Sequence, residues 1–382
     1  MSRTKILMFQ ESWGRGGIES FVMNMVRGLD PAEFEVELLS AYDWDNSYDA
    51  ELASLGVKRT VVFPGRMPGL ATRFWHGTRT WRRMLSAGDV DVVHVNAMNG
   101  MTLAYAAVAK RCGVPIRVVH SHNNDFGSGV RAVKLLFHRL GKVLWGGAAT
   151  MRLACSHAAG TYLFGRRSFE LVPNGIDVER FAFSTDARSR IRKALGVAPD
   201  ALVVGSIGRI SHQKNSLFCV RVLAELKQLV PNACLLLVGD GELVDKTQEL
   251  ADELGVAHSY LHVEAVANPE DYYAAMDVFL MPSLFEGFGY ALVEAQCSGL
   301  PCIVSEAVQD EACITDLVRK VPLAAGAIAW AQPIQRADVT CESRPAYAHA
   351  VASAGLAVDA SVDAIRSVYA LAATQATRLA DC

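Results

Sequence analysis

Asp277-Val-Phe-Leu-Met-Pro282-Ser-Leu-Phe-Glu286-Gly-Phe-Gly289-Tyr-Ala-Leu-Val-Glu294-Ala-Gln-Cys-Ser298-Gly-Leu-Pro301 holds, in order, a short apolar run, a glycine-bearing turn and an apolar segment of helical length. The run from Asp277 to Pro282 fits a strand covered on both faces, and Pro282 ends it because proline has no N–H for a ladder. A helix is expected from about Tyr290 to Ser298. Ahead of it, Gly287 and Gly289 flank Phe288 and leave backbone amides bare of side chains. Unpaired N–H groups and the positive end of the helix dipole converge there, so the place attracts an anion. Glu286 on the turn and Glu294 in the helix set two carboxylates beside it. A charge in an apolar setting needs a partner. A vicinal diol is one, because its two hydroxyls can donate to the two oxygens of one carboxylate, and ribose and sugar rings both carry diols. Taken singly, Glu286 reads as a solvated turn acid and Glu294 as a salt-bridge residue; taken together they read as a site.

The chain's bulk properties bound what such a site can belong to. With 382 residues there is length for two ordinary domains. A content of 51% hydrophobic and 20% charged residues describes a well-buried protein, and a net charge of -3 gives no global field for nucleic acid. The nine cysteines are scattered without a Cys-x-x-Cys pair, which fits a reducing cytoplasm and neither a disulfide framework nor a zinc site. The first apolar run stops at Gln10-Glu11, too short for a signal peptide, and no run reaches the length of a membrane span. A cytoplasmic protein is expected.

Strand and helix signals alternate through the first half. Lys5 to Phe9 reads as a strand, followed by Gly14-Arg-Gly16-Gly17-Ile-Glu19 and an amphipathic helix to about Leu29. This is a Rossmann opening in which Glu19 holds the place of the third glycine, which argues against a dinucleotide. Further strands are expected at Phe34 to Ser40, Thr60 to Pro64, Val90 to Asn96, Ile116 to His122 and Met151 to Ser156, the pattern of a parallel doubly wound sheet. His120-Ser-His122 closes one of them, on the carboxyl edge where open α/β sheets hold ligands. Asp43-Trp-Asp45 and Asp89-Val-Asp91 match a metal-binding Asp-x-Asp spacing, but the first pair sits in a polar loop and the second precedes its strand, so no metal is assigned to either.

The alternation restarts after the charged run Ser184 to Lys193. Val203 to Ile207 is a strand, and Gly208-Arg209-Ile-Ser-His-Gln-Lys214-Asn215 leads into a helix near Ser216. Arg209 as a fork and Lys214 as a point charge, between a strand end and a helix N-terminus, suit a diphosphate. Strands at Ala233 to Gly239, Tyr260 to Val266 and Cys302 to Ser305 follow, then a less regular region, and Ala354 to Ala380 reads as a closing helix.

These segments resemble the retaining glycosyltransferases of family 4, the group 1 type of capsular and exopolysaccharide synthesis. The resemblance rests on Glu286 and Glu294 with seven residues between them, on Gly208-Arg209-x4-Lys214-Asn215, on Gly16-Gly17-Ile-Glu19 and on Pro173-Asn174-Gly-Ile-Asp177, and it covers nearly the whole chain. It implies a GT-B fold: two Rossmann-like doubly wound α/β domains facing each other across a cleft, 1–180 for acceptor and 181–357 for donor, with helix 358–382 crossing back. The implied reaction moves a sugar, with retention, from a nucleoside-diphosphate sugar (a UDP-sugar) to a glycan or polyprenyl-linked acceptor in surface polysaccharide synthesis. His122, Glu286, Arg209 and Lys214 take the catalytic places. Gly16, Gly17, His120, Gly287, Phe288, Gly289, Tyr290 and Glu294 join the last three of these in binding donor. No metal or other cofactor is implied, because the cations meet the leaving diphosphate.

The sequence departs from the family where Val263-Glu-Ala-Val-Ala-Asn-Pro269 lacks the glycine that usually follows that strand, which leaves the nucleobase open. Two alternatives accompany the main reading. A nucleotide-sugar 2-epimerase shares the fold and would form epimer without acceptor; a non-catalytic scaffold of a polysaccharide assembly complex would have no need of the Glu and Arg-Lys pairs. Finally, Gly129 to Trp145 and Arg73 to Arg83 interleave cations with large apolar residues. Such basic faces meet either solvent or an anionic membrane surface, the second placing the protein peripherally on the membrane's inner face. No nucleic-acid partner is expected.

Overall fold

A computed structural model describes residues 3–14, 16–125, 131–337 and 340–380, with side chains to 370. The chain forms two compact units, one of 1–175 with 358–382, the other of 176–357. The first passage between them lies inside Pro173-Asn174-Gly-Ile-Asp177, a little before the expected 180.

The first unit is built on seven strands: β1 (Thr4–Trp13), β2 (Phe34–Asp43), β3 (Lys58–Phe63), β4 (Val92–Ala97), β5 (Ile116–Ser121), β6 (Met151–Ala154) and β7 (Glu170–Leu171). They pair in the order β3-β2-β1-β4-β5-β6-β7, parallel throughout. Central strands covered on both faces read as unbroken apolar runs, and every residue of β4 is buried. Phe9, Trp81 and Tyr105 form the heart of this core, Phe9 stacked on Tyr105 at 3.6 Å between ring centroids. Trp81, expected beside basic surface residues, is therefore interior, its Nε1 donating to the Tyr105 carbonyl at 3.0 Å.

The closing helix starts later than Ala354, because Gly355 takes a left-handed φ of 77° that no helix continues; the helix runs Val358–Ala380. It packs on the helix Gly17–Gly28, and a Cβ on Gly28 would lie 2.5 Å from Val362 Cγ2, so the two helices touch only because glycine stands there. Ser361 Oγ donates to the Pro173 carbonyl (2.7 Å) and accepts from the Gly175 amide (2.9 Å), fastening the returning chain.

The second unit holds six strands: β8 (Val203–Ile207), β9 (Cys234–Val238), β10 (Tyr260–Val263), β11 (Val278–Met281), β12 (Cys302–Ser305) and β13 (Val318–Val321). Their order is β10-β9-β8-β11-β12-β13, again parallel. Arg344 is buried beneath this sheet's helices, donating to the carbonyls of Tyr273, Met276 and Ser298 with its guanidinium 4.0 Å from the Phe183 ring centroid. Burial lowers its pKa to about 9. At the unit's two ends Ile176 bridges Ala357, and the Ile176 amide donates to the Leu356 carbonyl at 2.9 Å.

Candidate active site

In an open doubly wound sheet the ligand crevice opens where strand order reverses, outside the carboxyl ends of the two strands concerned. In the second unit those strands are β8 and β11. The loop leaving β8 carries Lys214 and the loop leaving β11 carries Glu286, and Lys214 Nζ meets Glu286 Oε1 at 2.8 Å. The carboxylate side chain is 6% exposed and the lysine 24%. Gln213 locks the two loops together, its Nε2 donating to the Phe285 carbonyl (3.1 Å) and its carbonyl accepting from the Leu284 amide (2.8 Å).

Backbone geometry sets the lysine's position. A Cβ on Gly239 would lie 2.2 Å from the Gly208 carbonyl oxygen and one on Gly241 2.2 Å from that of Ile210, so Gly239-Asp-Gly241 is the platform on which 208–210 rests backbone to backbone. Asn215 then turns the chain through a left-handed φ of 55° into the helix Ser216–Leu229. Arg209 points elsewhere. Its side chain is 62% exposed, with Nε 3.5 Å from Glu242 Oε2, so the structure joins Lys214 to Glu286 and leaves Arg209 at the surface.

After Glu286 the chain passes Gly287 and the buried Phe288 to Gly289, whose φ of 105° suits glycine and which caps the helix Tyr290–Cys297. The rings of Phe288 and Tyr290 meet edge to face at 6.1 Å. Glu294 accepts from the Tyr273 hydroxyl at 2.7 Å. Burial raises its carboxyl pKa to about 7, opposed by that hydrogen bond and by the charges of Arg180 and Lys214. Tyr273 lacked any sequence signal; its backbone carbonyl accepts from Arg344 Nη2 at 3.1 Å.

In the first unit the order reverses between β1 and β4. Gly16 is extended (φ -156°) and needs no glycine for its backbone; it is small because the buried Glu19 carboxylate folds back over it, with Oε2 2.6 Å from where a Cβ would stand. Ser12 Oγ donates to Glu19 Oε1 at 3.3 Å, and burial raises this carboxyl's pKa. Gly17 opens the helix. Gly-Gly-x-Glu thus closes on itself at the helix start.

The rings of His120 and His122 lie 4.0 Å apart between centroids, with His94 5.6 Å from His120 and Phe21 edge-on to His120 and tilted against His122. All three histidines are buried. Asn96 Nδ2 donates to the Phe9 carbonyl, so its Oδ1 accepts from His122 Nε2 (2.9 Å), which fixes the neutral tautomer and leaves Nδ1 as a lone-pair acceptor. Burial lowers the pKa of His122 and of His94 to about 3, and holds His120 far below its ordinary value. His94 Nδ1 meets the Tyr369 hydroxyl at 2.7 Å. Nearby in the same unit, Glu11 Oε1 lies 3.4 Å from Arg73 Nη1, which itself covers the Tyr42 ring at 5.0 Å. Neither Glu11 nor His94 belonged to a recognisable motif.

The Asp-x-Asp spacings resolve into other roles. Asp43 pairs with Arg59 (3.2 Å) and accepts from the Gly65 amide, Asp45 accepts from the Ser47 amide, and Asp91 from the Lys5 amide. Among the described residues no cluster of three His, Cys, Asp or Glu is placed to hold a metal ion. Gly129, Val130 and Cys382 lie outside the described residues.

Known proteins match this chain over most of its length. The sequence profile described as Glycosyltransferase Family 4 matches residues 15–180, and that described as Glycosyl transferases group 1 matches residues 187–319. The protein named EpsF from Bacillus subtilis (strain 168) is 32% identical over 96% of this chain and 97% of its own. An Escherichia coli enzyme named UDP-Gal:alpha-D-GlcNAc-diphosphoundecaprenol alpha-1,3-galactosyltransferase is 30% identical over 58% of this chain and 59% of its own. In fold, the crystal structure of Anabaena Alr3699/HepE in complex with UDP and glucose superposes with a TM-score of 0.79 at 21% identity, covering 96% of this chain and 100% of that one.

Proposed function

This chain belongs to glycosyltransferase family 4, and on that premise we propose that it moves a sugar, with retention, from a UDP-sugar to a glycan or polyprenyl-linked acceptor in polysaccharide or glycolipid synthesis. The Lys214–Glu286 pair at the reversal point carries this reading. In the free protein the two charges neutralise each other; with donor bound, each exchanges its partner for substrate, the ammonium taking the diphosphate and the carboxylate the sugar hydroxyls. Arg209 joins the diphosphate by giving up Glu242. Glu294 takes the ribose diol and His122 Nδ1 accepts from a sugar hydroxyl. UDP is chosen because the E. coli relative is named for UDP-Gal and the HepE structure for UDP.

The bond from the anomeric carbon to the diphosphate breaks while the acceptor oxygen bonds to that carbon on the same face, and the acceptor's proton passes to the departing phosphate oxygen. The chain's contribution is charge placed where negative charge develops. Lys214, Arg209 and the first turn of Tyr290–Cys297 supply it, so this scheme needs no metal. Excess chelator is expected to leave the transfer rate unchanged; loss of activity, restored by magnesium or manganese, would overturn that part.

Calorimetric titration with UDP tests the carboxylate roles. Glu294→Gln is expected to raise the UDP dissociation constant about tenfold, the worth of a charged hydrogen bond, whereas Glu286→Gln should leave UDP affinity intact and slow transfer. Equal affinity loss in both, or in neither, removes the distinction. Because Glu294 ionises near pH 7 and only the carboxylate accepts both ribose hydroxyls, UDP affinity should rise from pH 6 to pH 8 in the wild type, with the Glu294 share of that rise absent from Glu294→Gln.

A further inference from the structure

We infer that the outer faces of the helices Arg131–Trp145 and Leu70–Ala87 form a docking surface for an anionic lipid bilayer. An ordinary surface helix buries its apolar stripe and shows its polar one. Arg131–Trp145 does the reverse. Val133, Leu136, Phe137, Leu140, Val143 and Leu144 are all exposed, Leu136 at 64% and Val143 at 80%. Their spacing puts them on one stripe. The inner face is fixed by close contact with Gly100: a Cβ on Gly141 would lie 2.2 Å from the Gly100 carbonyl oxygen, and His138 Nδ1 accepts from the Gly100 amide at 3.0 Å. The helix cannot roll to hide its leucines. An apolar patch of this extent marks a contact surface.

Charge says what the contact is. Neither helix carries an acid, in a chain whose net charge is -3; Arg131 and Arg139 on one and Arg79, Arg82 and Arg83 on the other are exposed, while Arg73 and Lys142 turn inward to Glu11 and the Tyr162 carbonyl. The helices adjoin through Phe74, stacked on Trp145 at 5.6 Å. Trp75, 66% exposed, heads an outer stripe continued by Arg79, Arg82 and Arg83, and these three arginines line an open depression of about 410 Å³ with Ser86 and Ala87. A second copy of the chain would bring the same positive charge against this face. A bilayer of anionic lipids offers acyl chains to the leucine stripe and phosphates to the arginines at once, with an aromatic ring at the boundary between them. Among the described residues no helix is long and apolar enough to cross a membrane, so the contact is one of lying on the surface. The proposal rests on the glycosyltransferase reading only for what the docked enzyme would meet there, a lipid-linked acceptor.

Cosedimentation of the full chain with vesicles tests it. Binding is expected to vesicles of phosphatidylglycerol in phosphatidylcholine and to be at least several-fold weaker with phosphatidylcholine alone. The triple variant Leu136→Ser, Leu140→Ser, Val143→Ser loses no core packing, and its partition coefficient should fall roughly 100-fold. Arg79→Gln, Arg82→Gln, Arg83→Gln should cost about tenfold on anionic vesicles alone. UDP titration should be unchanged in both variants, which shows them folded and keeps the two readings apart. Wild-type protein left in the supernatant, or a serine variant that binds as wild type does, overturns the docking surface without touching the donor site. So does a concentration-dependent dimer in light scattering that the serine variant abolishes, because the face would then belong to a second copy. Vesicle binding by a wild-type protein with no affinity for UDP would instead overturn the catalytic reading.

Discussion

Lys214→Ala is expected to lower kcat/KM for transfer by about 100- to 1000-fold, the cost of removing one donor aimed at developing charge. Two losses combine. The departing diphosphate loses an ammonium whose value grows as its charge grows, so kcat should fall and not only KM rise. In addition, Glu286, with its side chain 6% exposed, is left without the cation 2.8 Å away, and a carboxylate without its partner in that position no longer holds its place. Building the same change on Glu286→Gln separates them. If the lysine acts only by positioning Glu286, the double variant will be no slower than Glu286→Gln alone; if it acts on the diphosphate, a further loss of roughly 100-fold remains. Lys214→Ala turning over at the wild-type rate, at saturating and subsaturating donor alike, would remove the phosphate assignment.

The second large effect is on stability. His94 and His122 are held neutral by burial, with pKa values pushed down to about 3, against an ordinary value near 6.5. The unfolded chain therefore binds protons that the folded one refuses. Their contribution is fully present above about pH 6.5 and is lost as pH falls toward 3, at about 1.4 kcal/mol per histidine for each pH unit. The facing groups are His120, Phe21, the Asn96 amide and the Tyr369 hydroxyl, none of which carries a negative charge to hold the added proton. Hydrogen exchange of β4 and β5 amides at pH 7 and pH 5 reads this change in the first unit by itself. Protection is expected to drop steeply at the lower pH, and less so in His120→Phe, which removes one member of the cluster. Equal protection at both values would mean that the histidines are solvated in solution.

What could be read in the sequence follows from physics of two ranges. Apolar runs flanked by turn residues are local signals, and strands such as β8 and β12 lie where their composition puts them. β7 is too short to carry a pattern, and β13, Val-Arg-Lys-Val, is an edge strand whose two charges hide it. The helix Ser216–Leu229 begins where a helix was expected, yet nothing local announced that Asn215 would adopt a left-handed φ behind Lys214. Glu286 and Lys214 were legible as residues of the right chemistry; their pairing was not, because it depends on the adjacency of β8 and β11, which is a property of the whole sheet. Arg209 shares Lys214's loop yet lies exposed beside Glu242, and that resting position is set by a neighbour well further along the chain, which local spacing does not report. Tyr273 and His94 act through partners far away in sequence, and only the fold brings those partners near.

The second unit is, in topological terms, an insert: it begins at Ile176 and ends at Ala357, and those two residues bridge each other. During synthesis its whole chain emerges before the helix Val358–Ala380 does. The insert can therefore complete its six-stranded sheet on the ribosome while the host sheet, begun first, still waits for its last piece. Until Tyr369 is made, His94 has no hydroxyl to meet, and the groove beside Gly28 has no Val362 to fill it. A chain released at residue 357 should hold a protease-resistant second unit and an open first one, so a sheet translated before the insert is finished after it.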